Sequence, residues 1–228
     1  MADSSFRVRS PLPPRKRTVA GFHLIWTAYG WWLPNDPRGS GSATIDSYII
    51  AQLGEIHHSR KPVQPPGQVV REFYEKAAKV LKHPLLKFDD GARTVVADAF
   101  GEVIRQERYI CYACAVMPDH VHILIRKHKH KAEEMADRLK TSSRLRLCEA
   151  GHRPHDHPTW CGGCVWRIFL DHPDEVRRTI AYIDRNPIAI NHPAQRWPFV
   201  TPYDNWPLHP GHSPHSPYAK RLRAAGRV

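Results

Sequence analysis

The sequence lacks an apolar run long enough to cross a membrane, since no stretch approaches the roughly 20 residues that a bilayer requires. Residues 1–17 also lack the apolar segment of a secretory signal peptide. Acidic residues are in deficit: 22 Asp and Glu stand against 34 Lys and Arg, which gives a formal net charge of +12. These absences argue against a membrane-spanning or exported protein, and we expect a cytoplasmic protein with no membrane partner. The excess positive charge favours a polyanionic partner such as a nucleic acid.

Cysteine is also scarce, with five residues that form two Cys-x-x-Cys pairs and one single residue, Cys148. Such pairs are typical of zinc sites. Cys111 and Cys114, however, fall in a predicted strand, where residues three apart point to opposite sides, so we expect that they do not share a metal. Cys161 and Cys164 flank two glycines and leave three interpretations open: a metal chelate, a labile disulfide or two incidental thiols.

Composition divides the chain into three segments. Residues 1–18 mix basic side chains with prolines and serines, which predicts a disordered arm. Residues 207–228 are rich in Pro and His and end in basic residues, which predicts a second disordered tail. We therefore expect one folded domain over residues 19–206, a length sufficient for a real core.

Apolar periodicity within residues 19–206 predicts an α+β protein. The order strand, helices, strand, strand, helix, strand, helix favours a sheet with its helices collected on one side, and sequence order alone leaves several arrangements open. The expected strands cover 19–27, 108–117, 120–127 and 165–170, and the expected helices cover 43–59, 68–82, 92–107, 131–148 and about 171–186.

The most informative motif is the pair His120 and His122 at the head of an apolar strand. Alternate strand residues share a face, so the two imidazoles leave the sheet on the same side, roughly 6–7 Å apart. Val121, Ile123 and Ile125 point the other way, which predicts a dry core side and a wet histidine side. The histidine spacing suits one metal ion, and the alternative is a strand with two packed histidines.

A second motif, around Tyr182, is typical of a helix and its end. Asp171 is expected to cap the start of this helix, and apolar residues recur at helical spacing behind it. Tyr182 and Asn186 are four residues apart and therefore neighbours on one face, while Pro187 is expected to stop the helix at Asn186. A phenol and an amide can thus reach one small site. The alternative is a half-buried tyrosine followed by an Asn-Pro helix stop.

Three landmarks follow one another along the chain: WTAYGWWLPNDPRG at 26–39, MPDHVH at 117–122 and YIDRNP at 182–187. With them the sequence resembles the single-tyrosine HUH transposases (IS200-like), most closely their REP-associated branch, over roughly residues 19–206. The resemblance implies a ferredoxin-like antiparallel sheet of the HUH endonuclease type. It also implies that the Tyr182 helix crosses the open face of the sheet and that residues 43–91 are an additional helical insertion.

The same resemblance implies a function, namely DNA transposition or a related rearrangement. The protein would be a metal-dependent endonuclease and strand transferase that acts on single-stranded or hairpin DNA. His120 and His122 would be metal ligands, and Tyr182 would be the nucleophile that forms a 5′-phosphotyrosine. Asn186 stands where many relatives carry glutamine and would be a third ligand. The cofactor would be Mg²⁺ or Mn²⁺, and we expect a monomer.

Aromatic and basic side chains are expected to hold the DNA, because unpaired bases stack on aromatic rings and phosphates attract cations. For Trp31 and its neighbour Trp32, the alternative is a role as core anchors. The candidates near the early motif are Trp26, Tyr29, Trp31 and Arg38, and the basic candidates on predicted helices are Arg138, Arg144, Arg178 and Arg185.

Two other classes of function stay open. A catalytically idle DNA-binding protein, domesticated from the same family, would keep the fold and the basic surface, although the intact His120, His122 and Tyr182 argue against it. A zinc-stabilised adaptor would depend on the cysteine pairs instead.

Overall fold

The computed structural model describes residues 19–162, 165–206, 220 and 223–224. Both predicted tails therefore lie almost wholly outside the described residues, as does Cys164. In the part that is described, no helix is both long enough and apolar enough to span a bilayer. The elements in chain order are β1 (Gly21–Thr27), α1 (Tyr48–Ala51), α2 (Gly67–Val80), α3 (Asp90–Glu107), β2 (Cys111–Val116), β3 (His120–Arg126), α4 (Ala132–Glu149), β4 (Trp166–Leu170) and α5 (Pro173–Ala189).

The four strands form one antiparallel sheet in the order β2-β3-β1-β4. With α3 between β1 and β2 and α4 between β3 and β4, this is the ferredoxin-like arrangement, and the predicted α+β fold is confirmed. β1 and β3 are the two central strands, and β3 begins at His120 opposite Thr27. Register along this pair determines which residues of β1 lie beside the two histidines.

One face of the sheet packs on α3 and α4. Val121 and Ile123 of β3 are fully buried there, beside Leu24 of β1. They meet Phe100 of α3 and Leu139 of α4, both also fully buried. The alternation predicted for β3 is confirmed on this side, since alternate residues of a strand share a face.

Helix α5 covers the opposite face, as the family resemblance implied, so the helices are not all collected on one side. Val176 and Ile183 of α5 pack against Leu124 of β3 and Ala113 of β2. We expected the histidine side of β3 to be exposed to solvent, and this expectation is wrong. The apolar residues of α5 cover that side, and only 4% of His122 is exposed.

Both ends of helix α5 differ from those expected from the sequence. His172, rather than Asp171, is the N-cap, and its side chain accepts a hydrogen bond from the Asp174 backbone nitrogen. Pro187 does not stop the helix, which continues to Ala189. A proline inside a helix removes one hydrogen bond, but Pro187 is buried, and this burial compensates for part of the loss.

Two further expectations from sequence are wrong. The helix expected over 43–59 shrinks to α1, because Gly54 adopts a positive φ and His57 is held by backbone hydrogen bonds to Pro34 and Ser40. In β2, a register shift between Cys111 and Ala113 interrupts the alternation. Cys111 and Cys114 therefore belong to the same apolar cluster instead of facing opposite sides. The remaining strands and helices are confirmed, with ends shifted by a few residues.

Candidate active site

The candidate site lies between the central strands and α5. His120 and His122 leave β3 on the α5 side, and the Nε2 atoms of their rings are 3.1 Å apart. The ring centroid of Tyr182, on α5, is 5.4 Å from that of His122. The fold therefore brings together two strand residues and a helix residue that are about 60 positions apart in sequence.

The close approach of the two Nε2 atoms is chemically informative. A neutral imidazole nitrogen without hydrogen carries a lone pair, and two such lone pairs repel each other unless a proton or a cation lies between them. Two ligand atoms at about 2.1 Å from a metal and at right angles to each other are roughly 3.0 Å apart. The separation of the histidine nitrogens thus fits adjacent ligands of one divalent ion.

Each histidine is also held at its other ring nitrogen. His120 Nδ1 is 2.6 Å from a carboxylate oxygen of Asp119, and His122 Nδ1 is 3.0 Å from Nε2 of His23. Burial raises the pKa of Asp119, but the hydrogen bond with His120 and the charge of Arg38 outweigh it, so this pKa lies below its usual value. Asp119 therefore stays ionised beside His120.

His23 is the residue of this site that the sequence did not reveal. It lies on β1 two residues before Ile25, the partner of His122 in the strand register, is 3% exposed and packs its ring 6.1 Å from that of Tyr182. Burial lowers the pKa of His23 to about 4 and that of His122 well below its ordinary value, because a charged ring is disfavoured there. His23 reaches the site only through the pairing of β1 with β3, which cannot be predicted from a local sequence motif.

Tyr182 is accessible, with 46% of its surface exposed. Asn186, one turn later on α5, donates from its amide nitrogen to the Tyr182 carbonyl oxygen at 3.1 Å. That bond occupies the amide nitrogen and leaves the amide oxygen as the atom that can serve as a ligand. Arg178 and Arg185 are exposed and lie four residues before and three residues after Tyr182, so they share its helix face.

The other DNA-binding candidates lie elsewhere. Trp26 is buried, with its ring at 5.7 Å from that of Phe100 on the α3 side of the sheet, and so offers no exposed stacking surface. Trp31 is buried against Tyr74, which agrees with the alternative role of a core anchor. Tyr29 is partly exposed and packs against two histidine rings.

The remaining arginine candidates differ in whether their charge is paired with a carboxylate of the protein. Arg38 donates to both carboxylate oxygens of Asp36, at 3.0 and 2.7 Å, and stacks on Trp32. Arg138 pairs with Glu107 at 2.7 Å. Arg138 and the exposed Arg144 belong to α4, across the sheet from Tyr182.

The cysteines do not assemble a zinc site within the described residues. No group of three or more His, Cys, Asp or Glu side chains there is arranged to hold a metal ion, a result compatible with a site of two histidines and an amide. Cys111 and Cys114 are free and buried, and burial raises the pKa of both thiols, which opposes the thiolate form that zinc requires. Cys161 is free as well, and its thiol donates to the carbonyl oxygens of Ala28 and Trp31.

One segment of the chain is similar to a known protein family, and the whole chain is distantly similar to solved structures. Residues 79–168 match the family of IS200-like transposases, a segment that includes His120 and His122 but ends before Tyr182. No curated protein matches the sequence. One similar solved structure is a REP-associated tyrosine transposase bound to a REP hairpin, with 12% identity, a TM-score of 0.41 and coverage of 83% of this chain and 81% of the other. Another is a candidate transposase from Deinococcus radiodurans R1, with 15% identity, a TM-score of 0.35 and coverage of 81% of this chain and 100% of the other. The segment of residues 79–168 is thus similar to the IS200-like transposases.

Proposed function

We propose that this protein is a transposase-type, metal-dependent enzyme that nicks and rejoins single-stranded DNA through Tyr182. The observation that carries the proposal is the convergence of the His120 and His122 Nε2 atoms, 3.1 Å apart, beside the exposed ring of Tyr182. A structural pair of histidines has no need of facing nitrogens at that distance, and a packed tyrosine has no need of exposure.

His120 and His122 would hold the divalent ion, Mg²⁺ or Mn²⁺, and the amide oxygen of Asn186 is the third ligand in this proposal. The bound ion would polarise the non-bridging oxygens of the scissile phosphate. Asp119 would orient the imidazole of His120 by occupying its Nδ1 atom. Arg178 and Arg185, on the helix face of Tyr182, would contact phosphates on either side of the reacting one.

The proposed reaction exchanges one phosphate ester for another. The phenol oxygen of Tyr182 loses its proton and attacks the phosphorus, the bond to the 3′ oxygen breaks, and that oxygen takes up a proton. The products are a free 3′ hydroxyl and a 5′-phosphotyrosine. Because the phosphotyrosine retains the energy of the broken bond, a second 3′ hydroxyl can reverse the step and join a new strand without a nucleotide cofactor.

The test uses a pool of single-stranded hairpins with randomised bases at the foot, labelled at the 3′ end, and Mg²⁺ or Mn²⁺. The fragment that stays on the protein is the one downstream of the cut, which is joined through its 5′ phosphate and carries the 3′ label, so a denaturing gel should show labelled protein. Label at the 5′ end should instead appear as a shortened free strand. EDTA should suppress both signals. A protein that binds the pool but forms no adduct with either metal would contradict the proposal and favour the idle DNA-binding alternative.

A further inference from the structure

His23 occupies a position whose chemistry the proposed reaction does not itself use. It is a polar side chain in the buried centre of the sheet, where polar groups require partners. Its neighbours on the same strand face are aligned by register: Ile25 lies opposite His122, and His23 lies opposite Leu124. His23 and His122 are therefore diagonal neighbours across the two central strands, close enough for their rings to contact.

The contact joins particular nitrogens. Nε2 of His23 is 3.0 Å from Nδ1 of His122, whereas Nε2 of His122 faces His120. His122 thus uses its two ring nitrogens in opposite directions. His120 has the same arrangement, with Nδ1 towards Asp119 and Nε2 towards His122.

We infer that His23 is a positioning residue for the metal site, an inference that rests on the proposed function. An imidazole that gives the lone pair of Nε2 to a metal carries its hydrogen on Nδ1 and needs an acceptor there. His23 Nε2 is that acceptor for His122, as the Asp119 carboxylate is for His120. His23 thereby fixes the tautomer and the ring orientation of His122.

The same geometry excludes His23 as a third ligand of that ion. Its nitrogen meets the side of the His122 ring that points away from His120, so the two Nε2 atoms of His122 and His23 do not converge. Three histidine rings in contact would by themselves suggest a three-histidine metal centre. The structure assigns instead two ligands and one supporting histidine.

The experiment compares two substitutions at this position. His23→Phe keeps an aromatic ring against Tyr182 but has no acceptor, whereas His23→Gln places an acceptor oxygen near the position of Nε2. Mn²⁺ affinity is measured on the DNA-free protein by the electron paramagnetic resonance signal of free Mn²⁺. Thermal melting in EDTA reports whether each variant is folded.

Loss of such an outer hydrogen bond typically weakens metal binding by about 10- to 100-fold. We expect a loss of that size in folded His23→Phe and recovery to within a few-fold of the wild type in His23→Gln. Wild-type affinity in His23→Phe, or an equal loss in both folded variants, would overturn the role assigned to His23.

If His23→Phe fails to fold, the comparison rests on His23→Gln and His23→Asn. The shorter amide of asparagine withdraws the acceptor, so only the asparagine variant should lose affinity, and equal affinities would overturn the inference. A wild-type protein that binds no Mn²⁺ would overturn the metal site itself, and with it the proposed function. Wild-type binding that is unaffected by His23→Phe would remove only the inference about His23.

Discussion

Alanine substitution of the two proposed ligands should give the same activity but different stabilities. His122→Ala removes a ring that is 4% exposed and leaves the buried Nε2 of His23 without its partner. An orphaned buried polar group costs about 1–3 kcal/mol, and the lost packing against Tyr182 adds about 1–2 kcal/mol, so we expect a loss of about 3 kcal/mol. The His120 side chain is 18% exposed, and its partner Asp119 stays accessible to water at 22%, so His120→Ala should cost about 1 kcal/mol.

For a chain of this size, 1 kcal/mol shifts the melting temperature by roughly 2–4 °C. Metal-free melts should therefore fall by roughly 6–12 °C for His122→Ala and roughly 2–4 °C for His120→Ala. At a temperature where both variants are folded, neither should form the covalent DNA adduct, because each has lost one of two imidazole ligands. Full adduct yield in either variant would reject the metal assignment. Equal melting temperatures for the two variants would reject the difference in burial on which the magnitudes rest.

Three further outcomes are expected. Affinity for single-stranded DNA should fall steeply as the salt concentration rises. If Arg178 and Arg185 each hold one phosphate, replacing both by alanine should reduce the slope of log affinity against log salt concentration by about 1.4. An equal reduction of this slope in the Arg144→Ala control on α4 would contradict their placement. The folded chain lowers the pKa of His23 from 6.5 to about 4, so the unfolded chain binds more protons between these values and stability should decrease as the pH falls through them. From pH 7 to pH 5 the metal-free protein should lose about 2 kcal/mol through His23 alone, and a thermal midpoint that does not fall over this interval would contradict it. The buried thiols of Cys111 and Cys114 should be alkylated by iodoacetamide only after unfolding, as mass spectrometry can show, and native labelling as fast as that of the partly exposed Cys161 would show that they are accessible.

The sequence predicts those features that depend on local periodicity. Val121, Ile123 and Ile125 alternate with His120 and His122, and this pattern alone gives the direction in which each side chain leaves β3. The bulge in β2 leaves no comparable signal, because the residues from Cys111 to Val116 are all apolar or small and support either facing. The sequence of an apolar strand with both faces buried does not indicate its register.

The candidate site was predicted in part, for a related reason. His120, His122, Tyr182 and Asn186 are recognisable because each belongs to a short motif. His23 stands singly in a strand, and its contact with His122 depends on long-range register between β1 and β3. The aromatic cluster around Trp26 suggested a stacking surface, whereas the pleat of β1 turns the Trp26 ring towards α3, where it is buried.

The most direct test of the central claim is mass-spectrometric localisation of the DNA adduct in the wild type and in Tyr182→Phe. Tyr182 is half exposed, so loss of one phenol oxygen should leave folding, metal affinity and DNA affinity nearly unchanged. Tyr29→Phe and Tyr203→Phe serve as matched controls and should retain the adduct. The account predicts a nucleotide joined through its 5′ phosphate to the wild-type peptide that contains Tyr182. It predicts no adduct at all in Tyr182→Phe. An adduct that persists in folded Tyr182→Phe, or that maps to Tyr203 or Tyr29, would contradict it.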